Sequence, residues 1–320
     1  MRRTTVLVLV PLLLALTGGV ALAVFTQSKT VPSNAFSTSA DWTAPTVSSS
    51  VIAKTTGYWD GYIKQGGTYY VYANVSDGGN PPSGVSTVTA NVSTVTTGQT
   101  ATALSSGSYS VEGVSYNYRT ASLTANSSLS AGSYSFSITA TDTGGRSGTQ
   151  TGFTVTLDNT APSASDIQTA NGGAIAGRAD IGDTITFTYS EPMESNSILS
   201  GWTGSSTNVV VRLNNGGISN DTVTIYNSAN SAQLPLGSVN LGRTDYATAN
   251  LTFGLSGTPS TMVMSGSAIT VTLGTQSAAA TTAASTGTMS WTPSATATDR
   301  AGNACTTTAR SETGAADKEF

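Results

Sequence analysis

The residues best suited to chemistry in this sequence are aspartates set in turns. Asp77 opens Asp77-Gly78-Gly79-Asn80-Pro81-Pro82, Asp142 opens Asp142-Thr143-Gly144-Gly145, and Asp158 opens Asp158-Asn159-Thr160-Ala161-Pro162. Asp299, in Asp299-Arg300-Ala301-Gly302-Asn303, follows the same pattern. Carboxylate oxygens on such turns are hard ligands that suit Ca²⁺. Because these turns fall near domain ends, they predict a calcium site at an interdomain joint, with Asp77, Asp142 and Asp158 as ligands. The competing reading is that aspartate favours turns by bonding its own backbone, and the four residues are spread singly. No other cofactor is expected.

A second group is aromatic. Tyr58, Trp59 and Tyr62 lie within Gly57-Tyr58-Trp59-Asp60-Gly61-Tyr62, and aromatic faces stack on the apolar faces of sugars. They form a candidate carbohydrate platform; packing in a chain with few large residues is the bland alternative. Glu191 and Glu194 are the closest carboxylate pair within a motif. Glycoside hydrolysis needs two such groups facing a cleft at defined separation. Glu191 precedes Pro192 at a strand end, which favours a capping or edge role. Lys54 and Lys64 have no Asn or Asp at a spacing that argues for isopeptide chemistry. Cys305 is read as a small buried residue on the last strand.

Composition closes most catalytic routes. The 320 residues include no histidine and one cysteine, and 9% are charged. A Ser-His-Asp triad, a Cys-His pair and a His-containing zinc site are therefore excluded, as are an intramolecular disulfide and a CxxC motif. The expectation is a protein that is not an enzyme. Formal charge is −4, and Lys and Arg are scattered singly, so no basic stripe for nucleic acid exists.

The N-terminus reads as an export signal. Arg2-Arg3 precede an uncharged apolar run from Val6 to Phe25 that contains Ala21-Leu22-Ala23, an A-x-A cleavage pattern marked by Ala21 and Ala23. Residues 1–23 are assigned to a signal peptide. An uncleaved anchor is the rival, since twenty uncharged residues just span a bilayer; membrane contact is expected only in that form. Either way the remainder is placed outside the cell.

Strands must position the candidate residues, because the apolar period is two nearly everywhere. Tyr134, Phe136, Ile138 and Ala140 alternate with Ser and Thr; Val71, Ala73 and Val75, or Ile185, Phe187 and Tyr189, do the same. Serine and threonine fill about 100 positions, largely the outward ones. Ala278–Thr288 is left as a loop or short helix. The segment Thr139–Arg146 is echoed by Thr296–Asn303, each read as a penultimate strand and its hairpin. With Pro162 breaking the ladder between them, the chain divides into an extended segment 24–44 and domains 45–160 and 161–320. The fold class is all-β, two tandem β-sandwiches.

Certain residues carry resemblances. Gly18-Gly19, Phe25-Thr26-Gln27-Ser28 and Asn34-Ala35-Phe36 resemble the start of bacterial proteins with a SipW-cognate signal peptide, a class that includes biofilm-matrix fibre subunits and surface proteins. Tyr69–Ala73, Leu129–Tyr134, Thr141–Gly145 and Asp158–Pro162 resemble a bacterial immunoglobulin-like module, with Tyr134 where a tyrosine corner would stand. Gly182–Met193, ending Tyr189-Ser190-Glu191-Pro192-Met193, is similar to the SEPM strand of Ig-like domains in surface-layer proteins. These resemblances imply two immunoglobulin-like sandwiches in a secreted or cell-surface protein with a structural or adhesive role. Its implied partners are other surface or matrix proteins, or further copies of itself joined through the N-terminal segment. A carbohydrate-binding module, or an accessory domain of an extracellular enzyme complex, is the alternative, with polysaccharide as the partner.

Overall fold

The computed structural model describes residues 41–320; the leader, Ala21, Ala23 and the motif at 25–36 lie outside the described residues. The described chain is all-β in two bodies, with one helical turn, α1 (Ser195–Ile198). The change of sheet falls between Leu157 and Ala164.

The first body contains β1 (Thr46–Lys54), β2 (Tyr62–Ile63), β3 (Thr68–Ser76), β4 (Val85–Asn91), β5 (Thr102–Val111), β6 (Val114–Thr120), β7 (Leu123–Thr124), β8 (Gly132–Asp142) and β9 (Ser147–Leu157). Their order is β1-β3-β6-β5-β4-β8-β9-β2, with β7 beside β3. β5 changes sheets near its start: Ala103 pairs with Thr89 of β4, and Leu104 with Thr120 of β6. Two layers result, β1-β3-β6-β5 and β4-β8-β9-β2. This is the ABED and CFG arrangement of the immunoglobulin sandwich, and β2 runs parallel to β9. Tyr134 Oη donates to Ser130 O at 2.9 Å, a tyrosine corner.

Alternation decides what goes inside. Along β3 the inward positions are Tyr69, Val71, Ala73 and Val75; along β8 they are Phe136, Ile138 and Ala140. Continuing each series by two residues gives Asp77 and Asp142, so a period of two carries both aspartates to the core side at their strand ends.

The second body contains β10 (Ala164–Ala170), β11 (Thr184–Tyr189), then β12 (Thr207–Asn214), β13 (Thr222–Asn227), β14 (Ser238–Asn240), β15 (Leu251–Phe253), β16 (Ser260–Ser265), β17 (Ala268–Thr272), β18 (Ser290–Thr292) and β19 (Arg310–Ser311). It is one antiparallel sheet in the order β10-β11-β17-β16-β12-β13-β14-β18-β19, with β15 against β12. The sheet rolls until its ends meet: Arg310 Nε donates to Ser165 O at 2.9 Å and Thr313 N to Asp166 Oδ1 at 2.8 Å. Trp291 fills its centre, with the rings of Phe187 and Tyr189 edge-on at 5.3 and 4.8 Å and its indole N–H on Leu236 O.

Three local expectations change. The echo at 296–303 is a turn bridged by Thr298 and Ala304 rather than a long hairpin, because Asp299 folds the chain back on itself. Cys305 is buried as expected, but it lies outside any strand, its N–H bonded to Ala297 O. Asp41, at the end of the stretch read as an extended segment, is buried against the first body and accepts from Ser83 N, while Trp42 beside it is 77% exposed. Residues 278–288 are irregular, with no helix.

Candidate functional site

Several of the acidic residues lie inside the molecule. Asp142, Asp180, Asp183, Asp221, Glu194 and Asp299 are all buried, and each carboxylate accepts backbone N–H groups from a loop. Asp221 holds Gly216, Tyr246 and Ala247; Asp183 holds Gly172, Gly173 and Asp180. Such bonds replace water around the ionised group. This is the turn-stapling reading of aspartate, and it accounts for most of the acids.

Where the two bodies meet, this chemistry becomes a joint. Glu194 caps α1, its Oε1 accepting Asn196 N at 3.1 Å, and the same oxygen accepts Tyr58 N from the first body at 2.9 Å. Its Oε2 is paired with Lys54 Nζ in a close ion pair. Lys54 also donates to Arg300 O at 2.7 Å, and Lys64 Nζ to Gly302 O at 2.5 Å. Both side chains of the pair are largely buried, 11% exposed for Lys54 and 2% for Glu194. Gly57 leaves room for it: a Cβ there would lie 2.6 Å from Glu194 Oε2, and its φ of +143° is one that residues with side chains rarely adopt. A cleft of about 340 Å³, lined by Lys54, Lys64, Glu194, Ser197, Thr298 and Gly302, borders this contact.

Arg300 completes the joint from the second body. Its guanidinium carbon lies 3.9 Å from the centre of the Trp59 ring and 6.0 Å from that of Tyr62, a cation–π geometry. Tyr58 meets Trp59 edge-on at 5.2 Å. The three aromatics proposed as a sugar platform are thus brought together, but Arg300 occupies one face of Trp59 that a sugar would need. A second aromatic group lies on the outer face of β3, β5 and β6, where Tyr109, Tyr116 and Arg119 join tyrosines of the Tyr69–Ala73 run. There Tyr70 and Tyr109 flank the Arg119 guanidinium at 4.1 and 4.5 Å, beside Tyr72 and Tyr116. Near it, burial and the neighbouring Glu112 carboxylate push Asp60 up to about 6.

The calcium set divides. Asp77 and Asp142 converge, with Asp41 as their third partner; Asp158 lies apart, grouped with Glu191 and Asp299 at the joint. The reason is topological. Asp77 and Asp142 end strands on the outer end of the first sandwich, whereas Asp158 follows β9 into the second body, where Asn303 Nδ2 donates to its carbonyl at 2.9 Å. Burial, followed by the charges of Asp158 and Asp299, pushes Glu191 up to about 7, and it shares a hydrogen bond with Asp158. Burial also raises Asp299. Glu191 therefore holds a proton over much of the range below neutrality. Glu194, not Glu191, pairs with Lys54, 140 positions away in the sequence. Burial, and then Glu191, pushes the Cys305 thiol up to about 11, which disfavours its thiolate.

No family model matches the chain, and no curated protein is significantly similar to it.

Proposed function

We propose that the chain is an exported, non-enzymatic structural or adhesive protein of a bacterial surface or matrix, in which two β bodies act as one stiff unit. The observation that carries this reading is the joint. Lys54, Lys64 and Trp59 of the first body are held by Glu194, Gly302 and Arg300 of the second. Several independent contacts resist bending and twisting at once, which is what a spacer that holds loops and edges away from a cell requires. The Ser- and Thr-rich outward positions suit a solvated surface, and the inventory of buried acids is used for loop stapling and pairing.

Assembly through the N-terminal segment belongs to the same reading, by strand addition to an exposed sheet edge of a neighbouring copy. Electron microscopy of purified mature protein, beside a variant lacking residues 24–40, tests it. Filaments from the mature form alone are expected. Equal absence of filaments in both preparations argues against assembly.

A further inference from the structure

Three carboxylates meet at the outer end of the first sandwich. Asp41 comes from the segment before β1, Asp77 from the β3–β4 loop and Asp142 from the end of β8, and each offers an oxygen within 4.8 Å of the others. Asp41 is engaged through both oxygens, and Asp77 and Asp142 through one each. Asp41 Oδ1 accepts Thr43 N at 2.8 Å and its Oδ2 accepts Ser83 N at 2.9 Å; Asp77 Oδ2 accepts Gly84 N at 2.6 Å; Asp142 Oδ1 accepts Arg146 N at 2.8 Å. The remaining oxygens of the last two are different. Asp142 Oδ2 and Asp77 Oδ1 are buried with no hydrogen-bond partner, and Asp142 as a residue is only 2% exposed. A buried carboxylate oxygen without a donor is costly, and more so beside two other carboxylates.

The strand register explains how the chain arrives at this arrangement. Both Asp77 and Asp142 extend the inward series of their strands, at positions where an apolar residue would continue the core. The loops are then shaped to the carboxylates: a Cβ at Gly79 would lie 2.3 Å from Asp41 Oδ1, so only glycine permits this approach. One cation is near, the Arg146 guanidinium, which lies 4.8 Å over the Trp42 ring.

We infer that Asp41, Asp77 and Asp142 form a calcium site that fastens residue 41 to the β3–β4 and β8–β9 loops, the two orphan oxygens being directed to the ion. All donors are hard oxygens, and carboxylate oxygens on opposite sides of one Ca²⁺ stand about 4.6–5.2 Å apart, against about 4.2 Å for Mg²⁺. Oxygens from the three residues lie within 4.8 Å of one another, a separation that one Ca²⁺ can span. Calcium would order the point where the N-terminal segment joins the sandwich, a role independent of the joint between the bodies.

The test is calorimetric titration of the full chain, stripped with EDTA, with calcium chloride, combined with thermal melting and terbium luminescence excited through Trp42. One equivalent of heat, a rise in melting temperature of roughly 5 °C at saturating calcium and sensitised terbium emission are expected. D142N keeps an amide oxygen for Arg146 N and removes one negative charge. It should melt no lower than the wild type in EDTA while losing about tenfold or more in calcium affinity. D77N serves as the second variant, with the same loss expected. No heat and no melting shift in the wild type overturns the site. Equal calcium responses in the wild type and both variants place binding elsewhere and also overturn it, and a magnesium response equal to that of calcium overturns the choice of ion.

Discussion

At the scale of single residues, the scarcity of charge gives each buried carboxyl a measurable role. Burial and neighbouring carboxylates push Asp60 up to about 6 and Glu191 up to about 7, from ordinary values of 3.8 and 4.5. A carboxyl that holds its proton more tightly when folded stabilises the fold at low pH, and this contribution is lost as pH rises between the two values. The opposite sign applies to Asp245, which Arg243 holds down at about 2; its contribution is lost as pH falls below the ordinary aspartate value. Melting temperature should therefore fall from about pH 4.5 to pH 7, with E191Q melting higher than the wild type above neutrality and showing a shallower slope. Thermal melts across this range check it; identical slopes in both proteins would show that Glu191 is not responsible. Asp77 and Asp142 were legible in the sequence because both sit in Gly-rich turns that end alternating runs. Asp41 was not, since Ala40-Asp41-Trp42-Thr43 carries no turn signature and no period. Its role depends on a loop 42 residues away.

At the scale of elements, the joint depends on one buried pair. Replacing Lys54 leaves Glu194 buried beside α1 without its cation, and removal of one partner from such a pair costs about 3–5 kcal/mol. K54A should lower stability by roughly that amount and split a single calorimetric transition into two, one for each body. Retention of one transition at an unchanged melting temperature would remove the pair from the joint. Strands with clean alternation, β3, β8, β11 and β17, could be read from the sequence. Two others could not, for different reasons. β12 buries Val209, Val210 and Val211 in succession, which abolishes the period of two. Most of β5 beyond Leu104 is exposed and rich in Ser, so only Tyr109 and Val111 near its end give an apolar signal. The joint itself was illegible because Lys54 finds its partners 140 and 246 residues away, and neither separation leaves a local mark.

At the scale of the whole molecule, the composition acquires a physical explanation. Hydroxyl residues coat the strands, glycines allow tight loops to approach buried carboxylates, and several cations (Lys54, Lys64, Arg119, Arg212 and Arg300) are placed against aromatic rings or across the joint. The two bodies use the same local rules and reach different closures: a two-layer sandwich in the first, a rolled single sheet in the second. That difference arises from long-range pairing and could not be read from periodicity alone. A stiff pair of β bodies outside the cell is the central claim, and location tests it most directly. Fractionation of the producing bacterium, with mass spectrometry of the N-terminus, should recover the protein from the medium or cell surface with residues 1–23 removed. Recovery of the folded protein in the cytosol, with Met1 intact, would contradict the account.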